Sequence, residues 1–107
     1  MNKSIAITLR HDLGAEEARR RLANGLEALQ RQFADKIGAA SVVWTGDHAD
    51  VHVAAIGQSA DATIDVGADV VTINVRLPWL LAVFAQKART FIEKSGADAL
   101  RLPPPSA

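Results

Sequence analysis

The chain has no cysteine, which rules out disulfides and thiolate catalysis within these residues and permits a reducing compartment. It also lacks a surplus of either charge. Twelve basic residues meet twelve acidic ones, so bulk electrostatics would hold neither nucleic acid nor an anionic lipid. No run of about eighteen apolar residues occurs, which argues against a transmembrane segment. The opening MNKSIAITLRHDL has no apolar stretch suited to a signal peptide. These absences point to a cytoplasmic protein with no nucleic-acid partner. A chain of 107 residues is long enough to bury one core unaided and too short for two.

What the sequence does have is organised around Val70 to Ile92. Val71, Ile73, Val75 and Leu77 alternate with Thr72, Asn74 and Arg76, the pattern of a strand with one wet face and one buried face. Pro78 lacks an N–H and its fixed φ suits a first helical turn, so the strand passes into the helical pattern WLLAVFAQKARTFIEK with almost no loop.

Earlier in the chain, Ile5, Ile7 and Leu9 alternate through Ser4 to Arg10 as an edge strand. Gly14 is placed to cap a helix with Glu17 at its third position, and Leu13 faces Ala18 as a staple. From Ala15 to about Lys36, Ala18, Leu22, Leu26, Leu29, Phe33 and Ile37 fall on one stripe, and Gly38 ends the helix. Strands follow over Ser41–Thr45, Asp50–Ile56 and Ala60–Val66, separated by a turn at Gly46-Asp47-His48 and a break or bulge at Gly57-Gln58-Ser59. Gly67-Ala68-Asp69 turns into the Val70 strand. The order β-α-β-β-β-β-α predicts a two-layer α+β domain: an antiparallel sheet of about five strands with both helices on one face. This domain spans residues 1–96. Residues 97–107, ending in Pro103-Pro104-Pro105, read as an extended tail.

The last helix carries more apolar residues than one core face needs. Leu80, Leu81, Phe84, Ala88, Phe91 and Ile92 span an arc expected to pack on the sheet. Trp79 and Val83 fall with the polar residues near Lys87 and Thr90, and if exposed they form an apolar contact surface. The competing reading folds Trp79 back onto the adjoining strand to finish the core. An edge strand or an exposed Trp79 would each also support a homodimer.

A search for catalytic groups finds little. His48, Asp47, Asp50 and His52 share one hairpin, but their spacing defines no metal-ligand geometry. Glu16 and Glu17 point about 100° apart on a helix, which suits i,i+4 pairing with Arg20 and Arg21 better than acid–base work. Arg19-Arg20-Arg21 reads as a solvated face. Ser41, Ser59 and Ser95 lack a glycine-elbow context, and the glycines form no phosphate cradle. Neither a catalytic residue nor a cofactor is expected.

The sequence of motifs resembles a known family. His11, Leu13, Gly14, Glu16, Glu17 and Ala18, then Trp44 with Gly46 and Asp47, then Leu77-Pro78-Trp79-Leu80, are similar to those of the small bacterial polyhydroxyalkanoic acid system family, the polyhydroxyalkanoate granule-region proteins. The resemblance covers about residues 3 to 95. Ala62 stands where the family pattern more often has glycine, and the tail after Gly96 is proline-rich. The resemblance implies a non-enzymatic accessory role in the storage-polyester system, with contact to a granule or a granule-associated protein through Trp79, Val83 and Lys87. The layout also looks like a reduced helix-grip fold of the START and Bet v 1-like kind. That likeness gives the alternative function, a carrier of a small apolar or acyl ligand facing Phe84, Phe91, Ile73 and Val75, although these side chains also have the bulk to fill the space themselves.

Overall fold

The computed structural model describes residues 3–32, 34–35, 39–55 and 57–100, with backbone only at Ala39, Ala55, Trp79 and Leu80. Five strands, β1 (Lys3–Arg10), β2 (Ala39–Thr45), β3 (His48–Ala55), β4 (Gln58–Val66) and β5 (Val70–Leu77), form one antiparallel sheet in the order β1-β5-β4-β3-β2. Helix α1 (Ala15–Gln32) follows β1, and β5 leads through a 3-10 segment, Trp79–Phe84, into α2 (Ala85–Leu100). The expected α+β meander is present, with β1 as an edge strand beside β5.

The register sorts the sheet into two faces, because side chains alternate along each strand and align across neighbours. One face carries the apolar rows Ile5–Val75–Ala62–Val51–Val42 and Ile7–Ile73–Ile64–Ala49–Trp44. Ile7 and Val71 are among its most deeply buried side chains, and Ala18 and Leu22 of α1 with Leu100 of α2 complete the core. The other face carries the row Thr8–Thr72–Asp65–His48–Thr45 and the row Ser4–Arg76–Asp61–His52–Ser41.

Gly14, at φ +80°, starts α1, and its carbonyl accepts from the Ala18 N–H at 3.0 Å. Glu17 does not reach back as a capping-box residue. Its carboxylate instead accepts from Arg20 Nε at 3.0 Å and Arg21 Nε at 2.6 Å, the charge-assisted and therefore stronger choice. These bonds, Arg20's first, hold its carboxyl at about 2. His11 ties the approach to α1 onto the β4–β5 turn. Its Nδ1 accepts from the Leu13 N–H at 3.1 Å, so the proton of the neutral ring sits on Nε2 and is donated to the Gly67 carbonyl at 3.1 Å.

Several boundaries differ from the sequence reading. A two-residue turn, Gly46-Asp47, joins β2 to β3, so His48 belongs to β3, and Gln58 and Ser59 belong to β4 rather than to a break. Ladder pairing carries each strand to the turn itself. Phe33, Ile37, Gly38, Ile56 and Pro103–Pro105, all used in the sequence reading, lie outside the described residues. Helix α2 runs past Gly96 to Leu100 because Gly96 and Leu100 are both buried.

The last helical segment shows the largest change. It opens with six residues of 3-10 helix, which advance about 120° per residue where an α-helix advances about 100°. Over those six residues the phase shifts by about 100°, so the start of the segment does not keep the phase that a single α-helical wheel gives it relative to α2. Phe84, one residue before α2 and seven before Phe91, shares the half-exposed side of that ring: it is 52% exposed where a place on the sheet was expected.

Candidate functional site

Helices α1 and α2 converge at one end and leave a gap over β3 and β4 toward the other. At Gly25 the approach is so close that a Cβ there would lie 2.8 Å from the Ala99 Cβ, and at Gly96 a Cβ would lie 2.5 Å from Leu9 Cδ1. A methyl at Gly25 would therefore overpack the crossing of α1 on α2, whereas at Gly96, where α2 crosses β1, the flexible end of the Leu9 side chain would have to shift. Beside them, Ala60 and Ala62 put short side chains on the inner face of β4, where Ala62 pairs with Val51 and Val75. Small residues on the sheet opposite larger ones on the helices leave a cavity of about 230 Å3.

Its wall is almost wholly apolar. Leu22, Leu26 and Leu29 of α1 face Val51, Val53, Ile64, Ile73 and Val75 of the sheet, and Phe91, Ile92 and Ala99 of α2 close the side. Phe91 is 49% exposed, so the cavity meets solvent beside its ring. Asp61 and Ser95 are the polar residues of the lining. The Asp61 carboxylate belongs to the outer row, where Oδ1 lies 2.6 Å from His52 Nδ1.

The candidates from the sequence divide. Ile73 and Val75 form part of the cavity wall and Phe91 part of its lip, whereas Phe84 is not among the lining residues. The facing side chains do not fill the space between them. Val83 is 82% exposed and Lys87 is exposed; the Trp79 side chain lies outside the described residues.

Two features escaped the sequence reading. The arginine triplet is not one solvated face. Arg19 Nε donates to the Gly46 carbonyl at 2.7 Å and its guanidinium lies 4.8 Å from the Trp44 ring centroid, pinning the β2–β3 hairpin to α1. Arg20 pairs with Glu17, and Arg21, with its side chain only 15% exposed, reaches both Glu17 and Leu100. An i,i+3/i+4 rule finds the Glu17 pairs, but nothing local in sequence connects Arg21 to Leu100. The second feature is the outer-face pairing of His48, whose Nδ1 lies 2.6 Å from Asp65 and Nε2 3.3 Å from Asp50. Carboxylates at both ring nitrogens, Asp65 foremost, raise its pKa above the usual imidazole value. Among the described residues no group of His, Cys, Asp and Glu is arranged to hold a metal ion, and no helix is long and apolar enough to cross a membrane.

Residues 5–100 match the model of the family described as "Putative polyhydroxyalkanoic acid system protein". The chain belongs to this family. Family membership thus embraces β1 through the end of α2, including the cavity and both helix crossings. No curated protein matches the sequence.

Among solved structures, truncated norcoclaurine synthase from Thalictrum flavum is similar over 94% of this chain and 91% of its own, at 12% identity and a TM-score of 0.51. A further structure of norcoclaurine synthase from the same plant also gives a TM-score of 0.51 at 12% identity, over 94% of this chain and 84% of its own. At such identity the likeness shows the fold, which is of the helix-grip, Bet v 1-like type.

Proposed function

We propose that this chain is a non-enzymatic accessory protein of the polyhydroxyalkanoic acid system, working in the cytoplasm and touching the storage granule or a protein on it. The supporting observation is the exposed apolar pair Val83 and Phe84 immediately before α2. Val83 is 82% and Phe84 52% exposed, with the exposed Lys87 one turn further on. Phe84, Lys87, Phe91 and Lys94 follow at i, i+3, i+7 and i+10, which sets two rings and two ammonium groups along one side of the helix. Rings beside lysines suit a surface that is apolar beneath and anionic at its boundary.

The test is co-sedimentation with native and protein-stripped polyhydroxyalkanoate granules, comparing wild type with Val83→Asp and Trp79→Ala. Binding to stripped granules, lost in Val83→Asp, is the expected result. Binding to native granules alone would shift the contact to a granule protein. An unchanged Val83→Asp variant would remove this surface from consideration.

The cavity favours a second reading, a carrier of a small apolar or acyl ligand. A preformed apolar space opening beside one ring is the usual form of such a site.

A further inference from the structure

We propose that the cavity takes one uncharged aliphatic chain of about nine non-hydrogen atoms, presented as an ester or thioester and not as a free acid. This deepens the carrier reading and rests on it.

Size sets the first limit. An apolar cavity of about 150 Å3 holds a benzene, six non-hydrogen atoms. By the same density the 230 Å3 here accommodates about nine. Alanines at 60 and 62 form part of the floor, and Gly25 and Gly96 belong to the lining where α1 meets α2 and α2 meets β1, contacts that would be lost if the helices moved apart to enlarge the space.

Chemistry sets the second limit. No lysine, arginine or histidine is among the described lining residues, and the one charged member, Asp61, is an acid engaged with His52 on the outer face. A carboxylate drawn inside would meet no counter-charge, and an unpaired buried charge is strongly disfavoured. An ester carbonyl needs one donor at most. Ser95 lies one turn beyond Phe91 on α2, so its hydroxyl shares the side that carries the lip. The whole ester then lies inside the cavity, its carbonyl on Ser95 behind the Phe91 lip and its alkyl part running toward Ala62, so the ester group counts among the nine atoms.

Isothermal titration of the full chain with methyl esters from methyl butanoate to methyl dodecanoate, each beside its free carboxylate, tests this. Affinity is expected to rise about fourfold per methylene, the usual gain for burying a CH2, and to level off near methyl hexanoate. Each carboxylate is expected to bind at least tenfold more weakly than its ester. Ala62→Leu should move the plateau to esters about three carbons shorter. Ser95→Ala, at a half-buried helix position, should keep the plateau and weaken every ester about fivefold, the loss of one hydrogen bond. Carboxylates binding as tightly as esters would overturn the uncharged head group. A rise that continues unbroken to methyl dodecanoate would overturn the size limit. Binding of no ester at all would overturn the carrier reading itself.

Discussion

Arg21 Nη1 donates to the carbonyl of Leu100 over 3.2 Å, a bond between the first turns of α1 and the last residue of α2. The same guanidinium gives Nε to Glu17 at 2.6 Å. One half-buried arginine thereby satisfies a carbonyl that helix geometry leaves without an intrahelical partner, and it brings positive charge to the negative end of the helix dipole. Leu100 itself is in the core. The end of α2 is held by a side chain from one side and by burial from the other.

Arg21→Ala should therefore lower stability by about 1.5–3 kcal/mol, the range for a hydrogen bond to a charged group. Urea unfolding followed by circular dichroism measures it. Leu100→Ala should cost more, about 2–4 kcal/mol, because it empties core volume.

Glu17 links stability to acid pH. Its folded carboxyl sits at about 2 against an ordinary 4.5, held down by Arg20 first and Arg21 next. A depressed carboxylate stabilises fully above the higher value and loses its contribution as pH falls through the lower one. The stability difference between wild type and Glu17→Gln should be constant above about pH 5 and vanish toward pH 2. A difference that persists at pH 2 would contradict the pairing.

His48 acts in the opposite sense. Asp65 and Asp50 raise its pKa above the ordinary 6.5, so the imidazolium form is favoured in the folded sheet. Its contribution is fully present below pH 6.5 and is lost as pH rises through the raised folded value. Melting temperatures of wild type and His48→Gln should thus differ at pH 5.5 and converge by pH 9.

Gly25 and Ala99 should behave as a coupled pair. Gly25→Ala gains about 1 kcal/mol of helix propensity, but a methyl 2.8 Å from the Ala99 Cβ overpacks the crossing, at about 1–3 kcal/mol. A net loss is expected. Ala99→Gly should then cost less in the Gly25→Ala background than in wild type, a coupling that a double-mutant cycle measures.

Much of this architecture is legible in local pattern. The alternation in β1 and β5, the Gly14 start of α1 and the stripe through Ala18 and Leu22 are short-range signals. They follow from the two-residue period of a strand and the 3.6-residue period of a helix. Five strands and two helices in that order leave few topologies, so the two-layer form was also within reach.

Pairing across distance was not. The Ser4↔Arg76 register, the Arg19–Trp44 stack and the Arg21–Leu100 bond join residues that no local rule connects, since each depends on where whole elements come to rest. The winding after Pro78 is 3-10 and not α, a small difference in twist that composition does not encode and that turns the start of the segment against α2. The cavity is the clearest case. Ala60, Gly25 and Gly96 carry no local signal in the sequence, and Ala62 stands out only against the family pattern. Only the assembled fold sets the alanines opposite a helix that the glycine crossings hold at fixed distance, and the space they leave is a property of that distance.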